Sequence, residues 1–212
     1  MNAIKSFLDK LKLQQNTPTV TNPYLDDELV NNLRLYLEYM SNIQGKRILL
    51  VGEAPGYKGC RITGIPFSSV KVLMSTEHPL FHAIKPQLSF SNDVLNGFEL
   101  GKMTSENTAT VVWQYLVDKK TVPLFWNSFP FHPHPKDKEN KNRAPNSKEN
   151  AQGIIYLQQL YTIFQPDIIA GVGVKGVECA KKAYPELAIK YIRHPSYGGK
   201  SDFIEGMNSI IQ

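Results

Sequence analysis

Four apolar runs constrain this chain more than any other feature: RILLV (47–51), VPLFWNSF (122–129), PDIIAGVG (166–173) and AIKYIRHP (188–195). Each is apolar along its length rather than at every second residue, and stretches with helical periodicity separate them. An antiparallel sheet with one wet face would alternate apolar and polar residues. Continuous runs instead predict strands covered on both faces. Strand–helix alternation then predicts the α/β class, as a three-layer α/β/α sandwich around a central four-stranded parallel sheet. Ligands of such folds bind beyond the carboxyl ends of the strands. The residues that follow each run are therefore the first candidates for function.

The intervening segments read as helices and loops. Ile4, Phe7, Leu8 and Leu11 share one helical face. Lys and Asp interrupt that segment, so it is neither a signal sequence nor a membrane span. Residues 1–45 are expected to pack as a helical segment on one domain spanning 1–212. QNTPTVTNP reads as a linker, and YLDDELVNNLRLYLEYMSNI as a helix with Asp26 and Asp27 near its positive end. From 68 to 120 the pattern is mostly helical, broken by HPLFHAIKPQLSFSND. TSENTATVVWQYLVDKK is predicted to be a helix capped by Thr104 or Ser105. HPHPKDKENKNRAPNSKEN is a polar, basic loop ahead of a helix over NAQGIIYLQQLYTIF.

A net charge of +5 favours a polyanionic partner, though only mildly. The two cysteines, Cys60 and Cys179, stand far apart and in no metal spacing. They exclude a disulfide framework and a cysteine-held cluster, and fit a reducing, cytoplasmic setting. His132 and His134 lack a third ligand at clear spacing, so no metal is expected.

Four motifs sit at the strand ends. The first is GEAPG: Gly52 and Gly56 permit a tight turn, Pro55 stiffens it, and Glu53 rides on it. GIPF follows, ending in Phe67. The second is FWNSF, where Asn127 near the end of a buried strand must find partners and is equipped to donate and accept side by side. The third is GVGVKG (171–176), which matches the glycine pattern of dinucleotide sites. The next strand ends in Arg193 and His194 rather than the acidic residue a ribose diol needs, so a tight turn or a helix start near a phosphate fits better. The fourth is RHPSYGGK (193–200).

Together these segments resemble the uracil-DNA glycosylase superfamily over roughly residues 45–200, and most of all its thermostable-type branch. GEAPG resembles the first motif of that branch, GIPF its following G-x-P-F, NRAPNSKE (142–149) its N-R-x-P…E segment, and HPS its second motif. The four iron–sulfur cysteines of that branch are missing. Position 54 is Ala where the best-known uracil glycosylases carry a catalytic Asp, so the carboxylate role would fall to Glu53. NSFPFHPHP replaces the usual N-V-x-K-C-R-P-P.

The resemblance implies a monofunctional enzyme with water as nucleophile and no cofactor. It would excise uracil or another deaminated base from DNA as a monomer, away from any membrane. Glu53 would hold the water or offset charge on the sugar, and His194 would hydrogen-bond the departing base. Gly52, Ala54, Phe67 and Asn127 would form the base pocket, with Phe67 stacking and Asn127 reading the base edge. Pro55, Gly56, Tyr57, Lys58, Arg143 and the run Pro195, Ser196, Tyr197, Gly198, Gly199 and Lys200 would grip the DNA, with Tyr197 as the candidate wedge. Two other readings stay open: a non-catalytic nucleic-acid-binding member, and a nucleotide-cofactor enzyme using GVGVKG.

Overall fold

In the computed structural model, which describes residues 3–91, Val94 and 105–211, the apolar runs become four parallel strands. In chain order the strands are β1 (Val20–Thr21), β2 (Ile48–Gly52), β3 (Leu124–Asn127), β4 (His132–Pro133), β5 (Ile168–Val172) and β6 (Ile189–Ile192). The main sheet has the order β3-β2-β5-β6. The longer helices are α1 (Ala3–Leu11), α2 (Asp27–Ser41), α6 (Asn107–Leu116), α7 (Ser147–Phe164), α8 (Gly173–Ala183) and α9 (Lys200–Ile211). Three short ones, α3 (Cys60–Thr63), α4 (Val70–Ser75) and α5 (Pro79–Ile84), lie between β2 and α6. Helices flank the sheet, as the α/β/α reading requires.

Every residue of β2 and β3 is buried, which explains their unbroken apolar sequences. Strand β6 departs from that expectation. Lys190 and Tyr191 of this edge strand are exposed, whereas β3 at the other edge is covered along its whole length. The core runs from Phe7, Leu8 and Leu11 of α1 through the strands to Phe203, Met207 and Ile210 of α9.

Glycines let α8 approach the sheet. A methyl group on Gly176 would sit 2.3 Å from the Val51 carbonyl oxygen, and one on Gly171 would sit 2.2 Å from the Val177 nitrogen. GVGVKG is thus a helix–strand packing device, and its Gly173, at φ +73°, turns the chain from β5 into α8.

Several local expectations change. QNTPTVTNP is not a free linker: Val20 and Thr21 pair antiparallel with Pro133 and His132. Asp26 caps α2 by accepting from Glu28 N and Leu29 N. HPLFHAIKP contains helix α5, with Pro79 in its first turn and the His78 ring accepting from Leu80 N. Helix α6 is capped by Glu106, whose carboxylate accepts from Thr108 N and Ala109 N, and not by Ser105; Thr104 lies outside the described residues. Helix α7 starts earlier than NAQG, at Ser147, because Asn146 and Glu149 form a reciprocal capping box.

The topology positions the site. From β2 the chain moves to β3 on one side, and from β5 it moves to β6 on the other. The crevice of such a sheet opens at that switch, beyond the carboxyl ends of β2 and β5. Register places Gly52 beside Asn127, Val51 beside Gly171, and Val172 beside Ile192.

Candidate active site

A cleft of about 870 Å³ lies over these strand ends, within the range of small-ligand sites. Its lining includes Gly52, Glu53, Ala54, Pro55, Gly56, Phe67, Asn127, His194, Ser196 and Tyr197. Segments far apart in sequence thus meet at one place, for the physical reason that their strands end in register.

The turn after β2 continues the β2–β3 pairing past the last strand residues. The Gly52 carbonyl accepts from Ser128 N at 2.9 Å, and the Glu53 carbonyl accepts from Phe129 N at 3.1 Å and from Ser128 Oγ at 2.8 Å. Asn142, from the polar loop, accepts from Tyr57 N at 3.0 Å on the far side of the turn. The Glu53 backbone is therefore fixed while its half-buried side chain faces the cleft. Burial pushes its carboxyl above the ordinary value, and the Lys175 ammonium in the first turn of α8 pulls it back.

Gly52 is glycine for a specific reason. A methyl group there would lie 2.6 Å from Phe67 Cζ and 2.9 Å from Asn127 Oδ1. The Phe67 ring and the Asn127 carboxamide close over the bare backbone of Gly52. Phe67 holds a left-handed backbone (φ 53°), stacks on Phe125 at 5.0 Å, and its carbonyl accepts from Trp113 Nε1. Asn127 is 5% exposed, and its carboxamide has no hydrogen-bond partner among the described residues. Its polar atoms stay open to the cleft rather than sealed in the core, so the edge of a ligand can meet both.

His194 stands two residues beyond β6. Its Nδ1 accepts from the Ser196 amide at 3.3 Å and lies 2.5 Å from Ser196 Oγ. An Nδ1 that accepts a backbone N–H leaves the proton of the neutral ring on Nε2. Burial lowers the imidazole pKa from its ordinary value; Glu106 opposes this and Arg193 adds to it. The result is a neutral ring with an N–H to offer.

Tyr197 is 98% exposed, at φ 53°, followed by Gly198 at φ +77°. Gly199 is needed for close approach, since a methyl group there would lie 2.3 Å from the His194 carbonyl oxygen. Pro195 is buried and Lys200 exposed. Tyr57 and Lys58 lie just outside the cleft lining, with the Lys58 ammonium 5.5 Å from the Tyr57 ring centre.

Arg143 does not fit the phosphate-gripping role expected for it. All five of its N–H groups are used: Nε donates to the His134 carbonyl, the two terminal nitrogens donate to both Glu149 oxygens, and their remaining hydrogens go to the carbonyls of Ala144 and Thr19. It is a staple for the loop. The resemblance carried by NRAPNSKE thus marks a structural pair, Arg143 with Glu149.

Sequence reasoning missed Glu106, Asn142, Ser128 and Lys175. Each lay inside or beside a segment already singled out, Glu106 in a run of capping residues, Lys175 in GVGVKG, Asn142 at the head of NRAPNSKE and Ser128 in FWNSF. His132 and His134 stack on each other at 5.5 Å. The His132 nitrogens face the carbonyls of Pro55 and Glu139 at 2.8 and 2.9 Å. Among the described residues, no group of three or more His, Cys, Asp or Glu side chains could hold a metal ion, and no helix is long and apolar enough to cross a membrane.

No curated protein sequence matches the chain. Among solved structures, it is similar to the crystal structure of wild-type Pedobacter heparinus SMUG2, with a TM-score of 0.66 and 17% identity over 99% of this chain and 96% of that one. That likeness supports the fold. The family model of the uracil DNA glycosylase superfamily matches residues 40–203. With the strand-end cleft and motif order already in place, the chain belongs to the uracil DNA glycosylase superfamily.

Proposed function

We propose that this protein is a monofunctional DNA glycosylase that takes uracil, or a related deaminated base, out of the duplex stack and hydrolyses its N-glycosidic bond. The observation that carries this reading is the open, nearly buried Asn127 carboxamide set beside the Phe67 ring, with Glu53 and the His194 N–H on the same cleft. A carboxamide pairs with an N–H and an adjacent carbonyl of a base edge, and an aromatic ring supports the base face.

Breaking the bond leaves an oxocarbenium-like sugar and an anionic base. Glu53, ionised, offsets the positive charge and holds the attacking water. The neutral His194 ring donates its Nε2 proton as a hydrogen bond to the base oxygen on which negative charge grows. Water adds to C1′, the base leaves with the bonding pair, and the proton of the water passes to Glu53 or to solvent. Tyr197, exposed at the rim, fills the gap left by the extruded nucleotide. The thermostable-type motif order supports this assignment, with the carboxylate role resting on Glu53 alone because position 54 is Ala.

A single-turnover assay on oligonucleotides with uracil opposite G, opposite A and in single strands, read as alkali-labile sites, tests the reading. Wild type should generate abasic sites. Glu53→Gln and His194→Ala should each slow release by roughly 100- to 1000-fold while still binding DNA. DNA binding without release from any deaminated base would favour the non-catalytic reading instead.

A further inference from the structure

The loop between β4 and α7 carries Lys136, Lys138 and Lys141, all exposed, none in an ion pair among the described residues. Of the acidic residues beside them, Glu139 is engaged by Arg61 at 3.3 Å, and Asp137 stays exposed. Hydrogen bonds tie the loop to itself and to its surroundings. Lys138 N donates to the Pro135 carbonyl and Lys141 N to the Lys138 carbonyl, both at 3.0 Å. The spent guanidinium of Arg143 anchors its end, and the buried His132 lies between the Glu139 and Pro55 carbonyls.

This loop adjoins the cleft through Asn142, which lines it and binds the Tyr57 amide. It packs against the segment after β2, with Asn142 on Tyr57 and Glu139 on Arg61, whereas the Tyr197 rim follows β6 at the sheet edge.

We propose that loop 135–142 is a second backbone clamp, with Lys136, Lys138 and Lys141 contacting phosphates on the side of the extruded nucleotide opposite Tyr197. This rests on the reading of the cleft as a DNA site. Its lysines dock the duplex and touch no reacting atom.

The test compares wild type with the K136Q/K138Q/K141Q variant by fluorescence anisotropy on a short labelled duplex without uracil, over a series of KCl concentrations. Each lost phosphate contact removes about 0.9 from the slope of log affinity against log salt. The variant should therefore lose about 2 to 3 units of slope. A control, K181Q/K182Q, at the far end of α8, should keep the wild-type slope. An unchanged slope, an equal loss in the control, or no binding by wild type overturns the clamp. Absence of base release by wild type, with the slope difference intact, removes the glycosylase reading and leaves the clamp standing.

Discussion

At the residue scale, the site is governed by two protonation states that neighbours hold in place. The proposed reaction needs Glu53 ionised, yet burial raises its carboxyl, with Lys175 opposing. It also needs a neutral His194 ring, and burial lowers the imidazole pKa in that direction. An imidazolium would also set an Nδ1 proton against the Ser196 amide proton, which reinforces the neutral form. Both requirements fail on acidification, so kcat is expected to fall towards acid and to be flat through neutral pH. Removing the Lys175 ammonium in Lys175→Met should move the acid limb to higher pH, measured as single-turnover rate against pH. An unmoved limb would show that Lys175 does not act on Glu53. The sequence made Glu53, Asn127 and His194 legible because each follows an apolar strand. It could not rank Glu106 above Thr104 or Ser105 as the α6 cap, since all three side chains can accept a backbone N–H.

At the element scale, the polar loop shows where sequence reasoning misleads. A basic residue beside a ligand cleft reads as an anion contact, and Arg143 in the sequence reads so. Its partner Glu149 stands six residues on, outside the i, i+3 and i, i+4 spacings that announce helical ion pairs. Burial alone would raise the Glu149 carboxyl, but the hydrogen bonds from Arg143 and the Asn146 amide hold it below the ordinary value. Arg143→Met should destabilise the fold by about 2 kcal/mol or more, measured by urea unfolding, because Glu149 loses a two-pronged charged partner. The salt slope of DNA binding should stay as in wild type, in contrast to the lysine variant. The two-residue ladder of β1 and β4 escaped notice for another reason: two residues have no period to detect. The four main strands were legible because their burial on both faces wrote itself as unbroken apolar sequence, and the exposed Lys190 and Tyr191 of β6 are the exception an edge strand allows.

At the scale of the whole molecule, charge and burial set a pH window for stability. His78, His132 and His194 each have a pKa lowered by burial. For His132 this holds even though two carbonyl acceptors pull the other way. Between its folded pKa and the unfolded value of about 6.5, each histidine binds a proton more readily in the unfolded chain. Stability should therefore decline as pH falls below about 6.5. Glu53, with a raised pKa, works in the opposite direction nearer pH 4.5, as one group against three. Thermal melts between pH 7 and 5 should show a falling Tm, and His132→Gln should flatten that fall. A Tm independent of pH over this range would contradict buried neutral imidazoles. The order β3-β2-β5-β6 also has a bearing on synthesis. Glu53 follows, and Asn127 ends, the two strands of the main sheet made first, and His194 follows the edge strand made last. A growing chain therefore carries half a cleft from Asn127 until β6 is made, and a fragment cut before β6 keeps the carboxylate and the carboxamide without the imidazole. On the proposed mechanism the imidazole joins the cleft only when the edge strand docks, so a product cut short before β6 is expected to lack full activity.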